Sequence, residues 1–321
     1  MKTFEEILTL VGDAVDQLDW HRKPEGLYEP IVYTLRLGGK RLRPALTLMA
    51  CEMFDGDIED ALKPALGLEV FHNFTLLHDD IMDKAVIRRG QSTVHVKWTG
   101  NHAILSGDLM QIYAYMLISE APTVHLKQVL DIFSQTAREV CEGQQYDMDF
   151  ETRDVVTPDE YIDMIRLKTA VLLGCALKIG ALIAGAMPQE AKLIYDFGIN
   201  LGIAFQLKDD LLDVYGNEKT FGKKIGGDIL CNKKTFLLIH ALKADTRNEL
   251  DIWLRNTDEL PAQKIAAVTS IYDHLGVKKI CEDAMWSYFE MAIANLGNIR
   301  IATHKKQELR KLAEKLMHRN D

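Results

Sequence analysis

Proline and cysteine are both sparse in this chain, and each scarcity excludes something. Eight prolines in 321 residues leave long stretches free to run as unbroken helix. The five cysteines, Cys51, Cys141, Cys175, Cys231 and Cys281, are odd in number, scattered and without a CxxC spacing. That excludes a disulfide framework and a structural zinc, and it suits a reducing compartment. Positive charge is short as well: the formal net charge of -9 argues against coating nucleic acid or an anionic membrane, because both need excess Lys and Arg to neutralise phosphates. Any phosphate-bearing ligand must then be held by local basic clusters or by metal ions. Long apolar runs are missing too. The nearest approach, residues 171–187, falls short of the ~20 apolar residues of a membrane span and contains Lys178, so a buried helix is predicted and no membrane insertion is expected. The opening segment carries Glu5, Glu6, Asp13 and Asp16 within an apolar pattern. It reads as an amphipathic helix and not as a signal peptide, and a cytoplasmic protein is expected.

What is present is hydrophobic content of 47%, enough for a large core, arranged with a period of 3.6 residues almost throughout. Helices are predicted near 2–18, 27–37, 43–54, 60–83, 101–119, 124–150, 158–185, 189–215, 233–244, 247–257, 261–296 and 304–318. Convincing alternating strand runs, a polar linker and a fixed helical repeat are all lacking. The expected architecture is therefore all-α, a single domain over residues 1–321 with roughly ten or more helices around a central cavity. The longest irregular stretches, 86–100 and 216–231, are candidates for functional loops.

Inside the fourth predicted helix lies "TLLHDDIMDKAVIRRG", which places Asp79, Asp80 and Asp83 in an otherwise buried pattern. On a helical wheel Leu66, Val70, Phe74, Leu77 and Ile81 make an apolar stripe, while His72, Leu76, Asp79 and Asp83 fall on nearly the opposite side. Asp79 and Asp83 are parallel like charges one turn apart, which weakens an isolated helix. Something positive must compensate. The pattern returns in "FQLKDDLLD", where Asp209, Asp210 and Asp213 repeat the spacing on a helix whose Gly198, Gly202, Gln206, Asp209 and Asp213 share one stripe. Glycines there serve either as one wall of a deep cleft or as points of close helix packing.

Two carboxylate clusters without histidine or thiolate partners are hard-oxygen sites suited to Mg²⁺, which keeps waters and bridges to substrate phosphates. Short basic runs stand beside them. "GGKRLRP" supplies Lys40, Arg41 and Arg43, "RRG" supplies Arg88 and Arg89, and "KTA" supplies Lys168 and Thr169. "FGKKIGGDILCNKK" supplies Lys223, Lys224, Lys233 and Lys234 after the second cluster.

The ordered motifs "GGKRLRP", "LLHDDIMD…RRG", "KTA", "FQLKDDLLD" and "GKKIGGD…KKT", over residues 38–235, resemble the trans-isoprenyl diphosphate synthases, the polyprenyl synthetase family. The resemblance implies an Mg²⁺-dependent prenyltransferase, with three ions, that joins isopentenyl diphosphate to allylic diphosphates through an allylic carbocation. It implies Asp79, Asp83 and Asp209 as metal ligands, with Asp80 supporting the first two and Asp210 and Asp213 near the third. Arg88, Lys168, Lys224 and Lys233 would bind the allylic diphosphate, with Thr169 and Gln206 lining the reaction zone. Lys40, Arg43, His72 and Arg89 would form the isopentenyl diphosphate pocket. Which lysine of each doubled pair contacts phosphate stays open, and Ser92 replaces a proline common in the family. A homodimer is implied as well.

Product length follows, on the same resemblance, from the residues upstream of Asp79. Phe74 and Phe71 are candidate floors for the growing tail, and Thr75 is small where many animal-type farnesyl diphosphate synthases carry an aromatic. The expected product is geranylgeranyl diphosphate, with farnesyl diphosphate as runner-up. Competing classes explain less. A class I terpene cyclase has no use for the Lys40, Arg43, His72 and Arg89 set, a di-iron bundle needs a second Glu-x-x-His beside that of Glu69 and His72, and a silent subunit would have lost aspartates.

Overall fold

Four helix starts in this chain are capped by threonine. Thr3, Thr99, Thr157 and Thr235 each accept a backbone N–H of the first turn through their side chains, and Glu6 and Glu160 close reciprocal capping boxes with Thr3 and Thr157. Such caps satisfy donors that the helix itself cannot, at about 1 kcal/mol each. The computed structural model describes residues 2–217, 225–255 and 260–318. Its first ten α-helices are α1 (Phe4–Asp16), α2 (Glu25–Arg36), α3 (Leu42–Met53), α4 (Ile58–Met82), α5 (Val94–Lys97), α6 (Gly100–Ile118), α7 (Thr123–Thr152), α8 (Pro158–Ile165), α9 (Val171–Ile183) and α10 (Pro188–Tyr215). Further helices run over Gly227–Leu230, Phe236–Ala244, Glu249–Arg255, Pro261–Leu275, Val277–Asn298 and Thr303–His318. The fold is all-α, as the periodicity requires.

Three local differences from the sequence pattern have physical causes. The expected helix 158–185 is interrupted by a π-helical turn, Arg166–Ala170, where the α7 residue Gly143 packs against the backbone of Leu167 and Lys168. The expected helix 261–296 divides at Gly276, whose φ of 69° ends one helix and begins the next. Within 86–100 a two-residue hairpin pairs β1 (Ile87–Arg88) with β2 (Gln91–Ser92). Its turn uses Arg89 and Gly90, both at positive φ, as tight hairpins demand.

The chain packs as two compact units. One comprises Met1–Ser134, Cys175–Ile194 and Arg300–Leu309; the other comprises Gln135–Gly174, Tyr195–Ile299 and Arg310–Asp321. In the first unit, α4 packs along α6 and against α3, and its predicted stripe residues Leu66, Val70, Phe74 and Leu77 are buried. Burial extends round α4 to Leu68 and Phe71, so the helix is more enclosed than a two-faced wheel implies. In the second unit Phe197, Leu201, Ile203, Leu207 and Leu211 of α10 build the core. The glycine stripe of α10 has a packing role, because a Cβ on Gly202 would lie 2.7 Å from the Ala170 Cα. Residues 171–177 and 179 are buried, as expected of that apolar run, and among the described residues no helix is long and apolar enough to cross a membrane.

Candidate active site

Both aspartate motifs stand in the last turns of long helices: Asp79 and Asp80 near the end of α4, with Asp83 as its C-cap, and Asp209, Asp210 and Asp213 near the end of α10. The negative end of the helix dipole is an unfavourable place for carboxylates. Cations are required there. In the first unit Arg88 supplies one, with Nε 2.7 Å from Asp80 Oδ1 and Nη2 3.4 Å from Asp79 Oδ2. Asp80 is buried, and burial raises its pKa against the opposing effect of Arg88. Asp79 is half-buried and Asp83 exposed.

The basic residues of the same unit gather around the start of α3. Arg89 donates from Nη1 to the Gly38 carbonyl, and its guanidinium covers Gly39 so closely that a Cβ there would lie 2.7 Å from Nη2. Lys40 follows in that loop and is exposed. Arg43 is held down to a pKa of about 10 by burial, which the nearby Glu69 opposes and Arg89 reinforces. Its buried Nε has no hydrogen-bond partner among the described residues, so an acceptor such as a phosphate oxygen fits there. Burial, then the fields of Arg43, Arg89, Arg88 and Arg41, lower His72 well below the usual 6.5, leaving a neutral imidazole near pH 7. The structure thus brings Arg43, His72 and Arg89 together, beside the loop that carries Lys40.

In the second unit a cavity of about 360 Å³ is lined by Lys168, Thr169, Gln206, Asp209, Asp210, Asp213 and Lys233, together with Asp147, Tyr161 and Asp228. The π-helical turn delivers Lys168 and Thr169 to it, and such turns recur at functional sites. Lys168 Nζ lies 2.6 Å and Lys233 Nζ 3.7 Å from the same Asp147 Oδ2. Burial alone would raise Asp147, but the two lysines outweigh it and its pKa is lowered. Asp210 is buried and accepts from Tyr161 Oη at 2.6 Å and from the Phe236 N–H at 3.3 Å. Burial and the Asp228 charge push it up to about 7. Asp213 accepts from the Asp228 N–H through Oδ2 at 3.1 Å. Lys223 and Lys224 lie outside the described residues.

Asp147, Tyr161 and Asp228 were not singled out by sequence reasoning. Asp147 stands one helical turn after Gly143 in no motif of its own; Asp228 stood within the quoted "GGD". Tyr161 gave none. Phe71 and Phe74 are buried, with ring centroids 5.4 Å apart, and Phe71 also meets Phe133 at 5.2 Å while Phe74 meets His78 at 4.8 Å. The Thr75 hydroxyl donates to the His72 carbonyl at 2.8 Å.

Among the described residues no three His, Cys, Asp or Glu side chains converge to hold a metal ion by themselves.

The model of the polyprenyl synthetase family matches residues 24–275 of the chain. Over 297 residues the chain is 38% identical to the geranylgeranyl diphosphate synthase of Methanosarcina mazei, covering 92% of this chain and 90% of that protein. Over 250 residues it is 39% identical to the geranylfarnesyl diphosphate synthase of Natronomonas pharaonis, covering 72% and 73%. A solved geranylgeranyl pyrophosphate synthase superposes with a TM-score of 0.95 at 47% identity over 100% of both chains.

Proposed function

The chain belongs to the polyprenyl synthetase family and is a trans-prenyltransferase, and on that premise we propose that it condenses isopentenyl diphosphate with allylic diphosphates to give geranylgeranyl diphosphate. The observation that carries the reading is the convergence of Lys168 and Lys233 on Asp147 in a cavity whose wall bears Asp209, Asp210 and Asp213. Cations held by a half-buried carboxylate are pre-positioned for a diphosphate.

Lys168 and Lys233, with Arg88, bind the allylic diphosphate in this reading, and Lys224, outside the described residues, joins them by family resemblance. Thr169 and Gln206 line the zone where the allylic carbon reacts. Asp79, Asp83 and Asp209 are the Mg²⁺ ligands, while Asp80 and Asp210, already bonded to protein partners, hold their neighbours in place. Three Mg²⁺ ions in this reading would be held by these carboxylates and would supply neutralisation of the charge that develops on the departing diphosphate. Cleavage of the allylic carbon–oxygen bond leaves the electron pair on the diphosphate and a cation on the hydrocarbon. Lys40, Arg43, His72 and Arg89 hold isopentenyl diphosphate so that its double bond attacks that cation, and the released diphosphate takes up the proton lost afterwards.

Chain growth stops at twenty carbons because Phe74 and Phe71 close the apolar space upstream of Asp79, whereas the small Thr75 leaves room to pass fifteen. The homodimer is supported by α6, where Leu105, Ile112 and Met116 are 59%, 57% and 53% exposed along one stripe, an apolar face that a second copy of the helix would cover. The test is metal-dependent incorporation of isopentenyl diphosphate by the purified chain. Absence of incorporation with every allylic starter, in a folded preparation, would reject the reading.

A further inference from the structure

Arg41 occupies an unusual backbone position, φ 44° and ψ 34° at the N-cap of α3, with no side-chain capping bond. A residue with a Cβ adopts this left-handed conformation only when its surroundings enforce it. The enforcement is visible in its side chain. Arg41 Nη1 lies 2.5 Å from Glu69 Oε1, and Nη2 donates to the Leu35 carbonyl at 2.5 Å. Glu69, on α4, is 2% exposed. The same Oε1 accepts a second hydrogen bond from Asn73 Nδ2 at 2.8 Å, so the carboxylate is itself fixed one turn along its helix.

We propose that Glu69 is a positioning residue for isopentenyl diphosphate: by clamping Arg41 in the left-handed conformation it sets the direction in which α3 begins, and with it the places of Lys40 and Arg43 on either side. This rests on the reading of Lys40, Arg43, His72 and Arg89 as the isopentenyl diphosphate pocket. Glu69 acts through Arg41 and touches no substrate. Its charge also favours the protonated forms of Arg43 and Arg89, so a geometric role and a counter-charge role must be told apart. They make opposite demands on substitution. Glu69→Gln keeps an oxygen at the Oε1 position for both Arg41 and Asn73 but removes the charge, whereas Glu69→Asp keeps the charge and withdraws the oxygens by one methylene.

The experiment measures KM for each substrate and the calorimetric Kd of isopentenyl diphosphate alone, on wild type, Glu69→Gln, Glu69→Asp and Glu69→Ala, with thermal melts to verify folding. Glu69→Asp and Glu69→Ala should raise KM and Kd for isopentenyl diphosphate by ~10-fold or more, and Glu69→Gln by less than ~3-fold, while the allylic KM moves less than ~2-fold in all three. If Glu69→Ala does not fold, the Gln and Asp variants decide the matter alone. A Gln variant as impaired as the Asp variant, or an allylic KM rising in step, overturns the proposal. Failure of the wild type to incorporate isopentenyl diphosphate would instead reject the underlying function, so the two failures are distinguishable.

Discussion

Arg88 Nε lies 2.7 Å from Asp80 Oδ1, so the second aspartate of the first motif is already bonded to a cation of its own unit. The second motif does likewise with Asp210, which Tyr161 and the Phe236 N–H hold. In both, the middle carboxylate is anchored to protein.

The proposed metal role of Asp79 and Asp209 predicts unequal mutational effects within each motif. Asp79→Ala and Asp209→Ala should each depress turnover by several orders of magnitude with helix content unchanged by circular dichroism, because each removes a proposed metal ligand. A variant keeping more than about a tenth of wild-type turnover has lost less than ~1.4 kcal/mol of transition-state stabilisation, and the metal assignment would fail. Asp80→Asn, which keeps an acceptor for Arg88, should be the milder change.

Asp147 gathers Lys168 and Lys233, and in the proposed reading it holds them toward the allylic diphosphate. Asp147→Ala should raise KM for the allylic diphosphate by ~10-fold and leave that for isopentenyl diphosphate nearly unchanged. Steady-state kinetics with each substrate varied in turn checks this; an equal rise in both would show that the lysines do not belong to the allylic pocket.

Much of this arrangement was legible in the sequence. The 3.6-residue period gave the all-α class, and the repeated aspartate spacing with its neighbouring basic runs gave Asp209, Asp210, Asp213, Lys168, Thr169 and Lys233 of the second-unit cavity. What stayed hidden depends on pairing between segments distant in sequence. Asp147 matters because of Lys168, 21 positions away, and Tyr161 because of Asp210, 49 positions away. The π-helical turn at Arg166–Ala170 was also invisible, since its residues continue the apolar helical pattern and only packing against Gly143 marks the spot.

The depressed His72 gives a pH signature. A base whose folded pKa lies below its unfolded value of about 6.5 contributes stability that is complete above that value. It is lost as pH falls, because the unfolded chain takes up a proton that the folded chain refuses. Urea midpoints between about pH 7.5 and pH 5.5 should therefore fall more steeply for wild type than for His72→Gln. Parallel profiles would contradict the neutral imidazole.

Phe74 and Phe71 are buried, and in the proposed reading they also limit product length. Phe74→Ala should cost ~3–5 kcal/mol of stability and shift the prenols recovered after dephosphorylation toward longer chains, with Phe71→Ala added extending the shift. An unchanged product from a folded double variant would show that these rings are core alone.

The most direct test of the central claim is the carbon number of the product made by the unaltered chain. With Mg²⁺, isopentenyl diphosphate and, in separate reactions, dimethylallyl, geranyl or farnesyl diphosphate, chromatography after phosphatase treatment should show geranylgeraniol as the end product from every starter that is accepted. Farnesol that does not extend, or the absence of any product incorporating isopentenyl units, would contradict it.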